Sequence, residues 1–215
     1  MGRRMTPEYW NLILQGTLTT LWLTVASALL SLVIGTVIGV MRISPVPVLQ
    51  SIAASYTEFF RNIPLLVVLF FVYFGLPNTG LRLEAVPSAI WGLALYTAAY
   101  VAEVIRAGLG TVSKGNVEAA RSLGMSFMQS MRYVQLPQAL RAAIPPLGTL
   151  LIALLKNTSL AGTVAVPEVL YQADFVGSRT FNPNILLIAG AIYIALTLPL
   201  GGLVNVVERR WAIKR

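Results

Sequence analysis

Between Tyr9 and Met41 the chain carries no Asp, Glu, Lys or Arg. About 20 mainly apolar residues are enough for a helix to cross a hydrocarbon core of roughly 30 Å. At about 1.5 Å per residue this run exceeds that thickness, which predicts a tilted span over roughly 12–40. A second uncharged run, Thr180 to Val207, predicts another over roughly 185–207. Lipid offers the backbone no hydrogen-bonding partner, so a chain built on such runs must satisfy its own amides, and helices do that within one segment. Composition agrees, with 56% apolar residues, 11% charged residues and a mean hydropathy of +0.74 over 215 residues.

The intervening chain divides at its helix breakers. Arg42, Pro45 and Pro47 end the first span, and a second is expected over 48–75 with Glu58 and Arg61 inside it. Pro77, Asn78 and Gly80 mark an exposed turn before a third span over 88–109. The fourth, over 142–162, is expected to begin close to Pro145, because proline is tolerated in a first helical turn. Pro167 to Arg179 holds Glu168, Asp174 and Arg179, which predicts a short surface helix. The expected fold is all-α and integral to the membrane, one transmembrane domain over 1–215 with five spans. No low-complexity tract, flexible linker or internal repeat marks a second domain.

Orientation follows from the basic residues that flank the spans. Arg42, Arg106, Lys114, Arg121, Arg132, Arg141, Arg209, Arg210, Lys214 and Arg215 fall on one side, against Arg3, Arg4, Arg82 and Arg179 on the other. The richer side is expected to be cytoplasmic, which places the C-terminus inside and the N-terminus outside. Arg3 and Arg4 ahead of an apolar run resemble a signal-peptide start, but the run is far longer than a signal core, so a retained span is expected. Trp10 and Trp211 suit interfacial anchors.

The same composition removes whole classes of function. Neither cysteine nor histidine occurs, so thiolate or imidazole metal sites and imidazole acid–base chemistry are excluded. No catalytic, cofactor or metal site is expected. The net charge of +8 sits between apolar runs rather than on an aromatic-studded basic face, which argues against nucleic acid. No glycine-rich phosphate loop ending in Lys-Ser/Thr is present, so the chain is not expected to hydrolyse ATP.

The most polar internal stretch, 114–137, follows the third span. Asn116 suits an N-cap, Val117 to Leu123 a short helix, Gly124 a left-handed stop, Ser126 a second cap, and Pro137 the end of the second helix. Ala119 and Ala120 give the first helix a small, smooth surface with Glu118 and Arg121 at its edges. That surface suits a partner's groove, and it equally suits an ordinary interhelical loop of good helix formers.

The residues themselves add a resemblance. Glu118-Ala119-Ala120, then Gly124, then Val134-Gln135-Leu136-Pro137 resembles the EAA loop of bacterial ABC importer permeases, with Val134 in place of the usual isoleucine. Gly16 to Leu21, Glu58 to Leu66 and Lys156 to Leu160 extend the likeness to the polar amino acid uptake branch of that family. The resemblance implies a multi-pass subunit of the bacterial cytoplasmic membrane. It would work with a second permease copy or a paralogue, two ATP-binding-cassette ATPases that use ATP and Mg, and an extracytoplasmic substrate-binding protein. Its cargo would be a polar amino acid, with a basic or amide side chain expected. Glu118, Ala119, Ala120, Arg121 and Gly124 would then be the ATPase-docking residues.

Charges inside spans point to the substrate path, since each is costly in lipid and normally faces a bundle interior or water. Along a straight second span Glu58 and Arg61 lie about 15 and 20 Å deep. Their spacing places them on one face, where they would either read the ammonium and carboxylate of a zwitterion or pair with each other. Lys156, Asn157 and Ser159 lie at a similar depth in the fourth span and are candidates for the same cavity. Glu103 and Arg106 fall near the end of the third span and are expected to form a gate or clamp. An ion-coupled secondary amino acid transporter is the alternative class, but it has no use for the EAA spacing.

Overall fold

The structure is a computed structural model and describes residues 5–211. Arg3, Arg4, Lys214 and Arg215 of the charge count, and the side chain of Trp211, lie outside the described residues. Every regular element among the described residues is helical.

The first helix, α1 (Pro7–Met41), has Pro7 in its opening turn and is capped by Thr6, whose hydroxyl oxygen accepts from the Tyr9 N–H at 3.5 Å. Its inward residues are mostly small: Gly16, Thr20, Thr24, Ser27, Ser31, Gly35 and Gly39, spaced three or four apart. From Ser27 to Gly39 this stripe packs on α4 (Ala85–Gly110), the most extensive helix pair in the molecule, while Gly16 and Thr20 lie against Glu168 and Val169. Lipid supplies no hydrophobic drive between helices, so close approach through small residues is what holds such a pair. Gly35 marks the tightest point: a Cβ there would lie 2.5 Å from Val101 Cβ and 2.8 Å from the Ala98 carbonyl oxygen. Leu14, Leu18, Trp22, Leu29 and Val33 point outward and are exposed on this chain.

The second span is not the straight helix expected over 48–75. Two segments, α2 (Pro47–Asn62) and α3 (Leu65–Phe70, continued by a π turn and a 3-10 turn to Thr79), meet at a bend of 107°. The cause is local. Proline crowds the residue before it out of the helical region, and Ile63 before Pro64 is extended, with φ −109° and ψ 147°. The depths expected for Glu58 and Arg61 along a straight span therefore do not apply.

Beyond α4 come α5 (Lys114–Ser122), α6 (Phe127–Ser130), a π turn over Met131–Gln135, and α7 (Leu136–Asn157), which tightens into a 3-10 segment to Val164. The path from Phe127 to Val164 is continuous. Two sequence expectations fail here for one reason. Pro137 does not stop the loop helix; it sits in the first turn of α7, where its missing N–H is harmless. Pro145 and Pro146 lie inside α7 rather than at its start.

Of the last pair, α8 (Val169–Thr180) packs on α1, and α9 (Ile185–Trp211) packs on α7 and α8. Helix α8 is one-sided, as a surface helix is: it buries Val169, Ala173 and Val176 against Ile13, Ile185 and Ala189, and leaves Asp174, Ser178 and Arg179 exposed. Four helical stretches are long and apolar enough to cross a membrane, or five with the bent α2–α3 pair counted as one span. Helix α4 is the hub, touching α1, α2, α3 and α7.

Candidate functional site

Two sites can be built from these elements, and the first is the loop between α4 and α7. Ser113, not Asn116, caps α5: the Asn116 N–H donates to Ser113 Oγ at 3.3 Å. Asn116 has another task, donating from Nδ2 to Gln138 Oε1 at 3.0 Å and so tying α5 to α7. Gly124 takes φ 76°, the left-handed geometry that a side chain disfavours. Its N–H donates to Arg121 O at 2.9 Å and the Met125 N–H to Ala120 O at 3.1 Å, which together make a Schellman stop. Ser126 and Gln129 then close a capping box, with Ser126 N–H donating to Gln129 Oε1 at 2.8 Å and Gln129 N–H to Ser126 Oγ at 3.3 Å.

Both ends of the bend are thus hydrogen-bonded within a few residues. Beneath it Met131 is buried with Ile105, Leu109 and Ala139, so the loop is seated on the α4–α7 core. Of the residues expected at its outer surface, Glu118, Ala119, Arg121 and Gly124 are exposed, whereas Ala120 is buried at 3% exposure and packs inward. The sequence reading missed Leu123 and Met128, exposed at 79% and 62% on either side of the bend. An apolar residue just ahead of the stop glycine in an otherwise polar stretch was the available signal.

The second site lies around Glu103. Its Oε2 accepts from Arg106 Nε at 3.0 Å and Nη2 at 2.9 Å, and its Oε1 lies 3.2 Å from Arg42 Nη2. Arg61 Nη1 stands further off, at 4.0 Å, with its guanidinium carbon 5.7 Å from the centre of the Tyr100 ring. One carboxylate therefore gathers the α1 end, the α2 end and α4. The Glu58–Arg61 pair considered from sequence is not formed; Glu58 is exposed and makes no ion pair among the described residues. The bend at Pro64 and the tilt of α2 carry Arg61 toward α4 instead.

Further along the α4–α7 boundary, Tyr96, Thr97 and Tyr100 face Leu150, Ala153, Leu154 and Asn157 across a cavity of about 220 Å³. The structure thus brings Asn157 to this cavity and Arg61 to the face of one of its tyrosines. It does not bring Glu58, Lys156 or Ser159 there. Lys156 is exposed away from the lining, and the Ser159 hydroxyl donates back to the Lys156 carbonyl at 2.8 Å.

Glu168 has a different role from the one its surroundings in sequence suggested. It is fully buried and caps α8, accepting from the Leu170 N–H at 2.8 Å, the Tyr171 N–H at 2.7 Å and the Tyr193 hydroxyl at 2.8 Å. Burial pushes its carboxyl above the usual carboxylate range, against the pull of those donors. Nearby, Thr20 Oγ1 of α1 accepts from the Val169 N–H at 3.2 Å. The unit binds α1, α8 and α9 at the opposite end of α7 from the loop.

Comparison with known proteins places this architecture. Residues 31–213 match the family described as binding-protein-dependent transport system inner membrane component. The probable glutamine ABC transporter permease protein GlnM of Bacillus subtilis is 43% identical over 204 residues, 94% of each chain. The glutamate transport system permease protein GluC of Corynebacterium efficiens is 39% identical and spans 100% of this chain and 97% of its own. The arginine transport system permease protein ArtQ of Bacillus subtilis is 38% identical over 92% of this chain and 91% of its own. Among solved structures, an amino acid ABC transporter crystallised with histidines superimposes with a TM-score of 0.83 at 37% identity, covering 94% of this chain and 95% of its own. The inward-facing MetNI methionine ABC transporter shares the fold, with a TM-score of 0.81 at 22% identity over 97% of this chain and all of its own. Helix order, loop and relatives agree, and the chain belongs to the binding-protein-dependent transport system inner membrane components, the permease subunits of ABC importers.

Proposed function

We propose that this chain carries a polar amino acid across the bacterial cytoplasmic membrane as one of two permease subunits, driven by ATPases docked on the α5–α6 loop. The observation that carries the docking reading is the exposed edge of Ala119, Leu123 and Met128 around the Gly124 bend, held rigid by the Schellman stop and the capping box. A partner's groove needs a small, apolar, stiff element, and this loop has all three properties. Glu118 and Arg121 flank it with charge, while Ala120 supports it from beneath.

Force delivered there has a direct route inward. The loop runs without a break in helical structure from Phe127 to Val164, so a rigid-body shift at α6 moves α7 and the wall that bears Asn157. The excess of Lys and Arg on the loop's side supports a cytoplasmic loop with the N-terminus outside. The family description, a binding-protein-dependent transport system, supports delivery by an extracytoplasmic binding protein, and pairing with a second copy or a paralogue completes the proposed assembly.

Amino acid cargo is supported by the relatives, whose names span glutamine, glutamate and arginine. A basic or amide side chain is the proposed class, with Arg61, over the Tyr100 ring, offered to the substrate carboxylate and Asn157 at the α4–α7 cavity. Proteoliposomes holding the chain with its ATPase and binding protein test the whole reading. ATP-dependent uptake of glutamine or arginine is the expected result. Uptake that runs on a proton or sodium gradient without ATP overturns it.

A further inference from the structure

Phe181 holds a backbone geometry that its side chain opposes. It closes α8 at φ 54° and ψ 36°, the left-handed region where glycine or asparagine normally serves and a bulky residue is an outlier. The turn itself is satisfied, since the Phe181 and Asn182 N–H groups both donate to the Gly177 carbonyl, the latter at 3.1 Å. Asn182, a residue that takes this geometry readily, stands one position too late to serve. Packing within the chain does not offset the strain: Phe181 is 85% exposed, more than any other large apolar side chain among the described residues. An outlier kept at an exposed position is a mark of function.

Beside the ring, a crevice of about 330 Å³ opens between the end of α8 and the start of α9, with Asp174, Gly177, Ser178, Phe181, Pro183 and Leu186 among its walls. Asp174 is exposed there and enters no ion pair among the described residues. Arg179, the basic residue nearest in sequence, is turned instead to Phe175, with its guanidinium carbon 5.2 Å from the ring centre. The crevice therefore sets a carboxylate and an aromatic ring on its walls and no basic side chain of this chain among them. Those are the two groups that bind a guanidinium or an ammonium.

The position narrows the source of that cation. Helix α8 and the start of α9 pack on Ile13 near the beginning of α1, remote from the α5–α6 loop, so this end is extracytoplasmic in the proposed orientation. We infer that the α8–α9 turn is a docking point for the substrate-binding protein, with Phe181 as its apolar anchor and a lysine or arginine side chain of that protein seated in the crevice against Asp174. This rests on reading the chain as a permease served by such a protein, which the family description supports. A membrane anchor fits the residue less well. Interfacial belts favour Trp and Tyr, whose polar tips reach the headgroups, whereas Phe181 has no polar tip and stands among Arg179, Thr180, Asn182 and Asn184. Protein interfaces do concentrate their binding in a few such aromatic anchors.

The test uses the complete complex of permeases and ATPases in proteoliposomes, with the binding protein added outside at graded concentrations. The quantity read is the concentration of binding protein that gives half-maximal ATP-driven uptake of labelled L-glutamine, L-glutamate or L-arginine. Phe181→Gly removes the anchor and relaxes the backbone. Its half-maximal concentration is expected to rise roughly tenfold, as for the loss of an interface anchor, while its thermal unfolding midpoint is no lower than that of wild type. Asp174→Asn should raise that concentration roughly threefold, the scale of an exposed ion pair, and flatten its dependence on salt. Leu81→Ala, at an exposed apolar residue of the turn before α4, should leave it within about twofold. A folded Phe181→Gly complex whose half-maximal concentration stays within about twofold of wild type overturns this inference alone. Wild-type uptake that proceeds equally without the binding protein, or no uptake at all, overturns the permease reading beneath it as well.

Discussion

Arg61 lies three residues from Glu58 on α2, yet its guanidinium crosses to Glu103 on α4, with Nη1 4.0 Å from Oε2. Helical spacing alone would pair the two residues of α2. The bend at Pro64 tips α2 so that its end meets α4, and Glu103 already holds Arg42 and Arg106 there. A single carboxylate with three basic neighbours makes the corner between α1, α2 and α4 a shared electrostatic joint. Such a joint can lose one partner and keep its carboxylate paired, which no isolated pair can do.

Removing the carboxylate should therefore be costly. In Glu103→Gln, Arg42 is left partly buried without its counter-ion, and a loss of about 2–3 kcal/mol in stability is expected. The midpoint of thermal unfolding in detergent would fall. Adding Arg42→Gln to that variant should recover part of the loss, because the stranded charge goes with it. Equal midpoints for wild type and Glu103→Gln would remove the joint.

At the loop, Gly124→Asp forces a side chain onto a left-handed residue and sets a charge beside Leu123. The backbone strain alone is about 1–2 kcal/mol. Membrane insertion should be unaffected, while copurification of the ATPase and ATP-driven uptake should both fall at least tenfold. Reversal at Glu118 should weaken docking less, since it lies at the edge of the exposed patch. Wild-type uptake by Gly124→Asp would show that this bend does not dock the ATPase.

Close approach of α1 and α4 gives a third expectation. Gly35→Ala introduces a Cβ 2.5 Å from Val101 Cβ, so one helix must move, at about 1–3 kcal/mol. Gly202→Ala, where nothing of this chain lies within 4 Å, provides the matched control. Size-exclusion profiles after mild heating should separate the two, with only Gly35→Ala losing its monodisperse peak. Identical profiles would mean that the α1–α4 contact is looser than described.

Glu168→Ala leaves two backbone N–H groups and the Tyr193 hydroxyl without their acceptor at a fully buried position. About 2–4 kcal/mol of destabilisation is expected. Tyr193→Phe removes one bond and should cost about 1 kcal/mol. Protease cleavage between α8 and α9 would report the opening of this corner. A Glu168→Ala protein as resistant to cleavage as wild type would deny the cap its role.

Much of this protein was legible before any coordinates. The uncharged runs required membrane-spanning helices, because lipid cannot solvate an open backbone. The glycine at 124 and the serine at 126 announced a stop and a cap through their own local chemistry, and both are realised. Local rules also failed where two of them competed. Proline ends helices and begins them, and at Pro137 and Pro145 only the continuity of the α6–α7 path decides which. At Pro64 the break was readable in the dipeptide, but reading 48–75 as one segment of spanning length concealed it.

The partners of the charged residues were not legible, since an ion pair depends on which helices meet and at what tilt. Sequence placed Glu58, Arg61, Glu103 and Arg106 on helices and in i, i+3 pairs; tertiary structure kept Glu103 with Arg106, separated Glu58 from Arg61, and brought in Arg42 from another helix end. It likewise buried Ala120, exposed Leu123, and set Tyr96 and Tyr100 opposite Asn157. Hydropathy and backbone chemistry act within one segment, so the chain alone dictates the number, length and punctuation of its helices. Which faces meet is settled only when small residues such as Gly35 let two helices close on each other, and that contact decides where every polar side chain finds its partner.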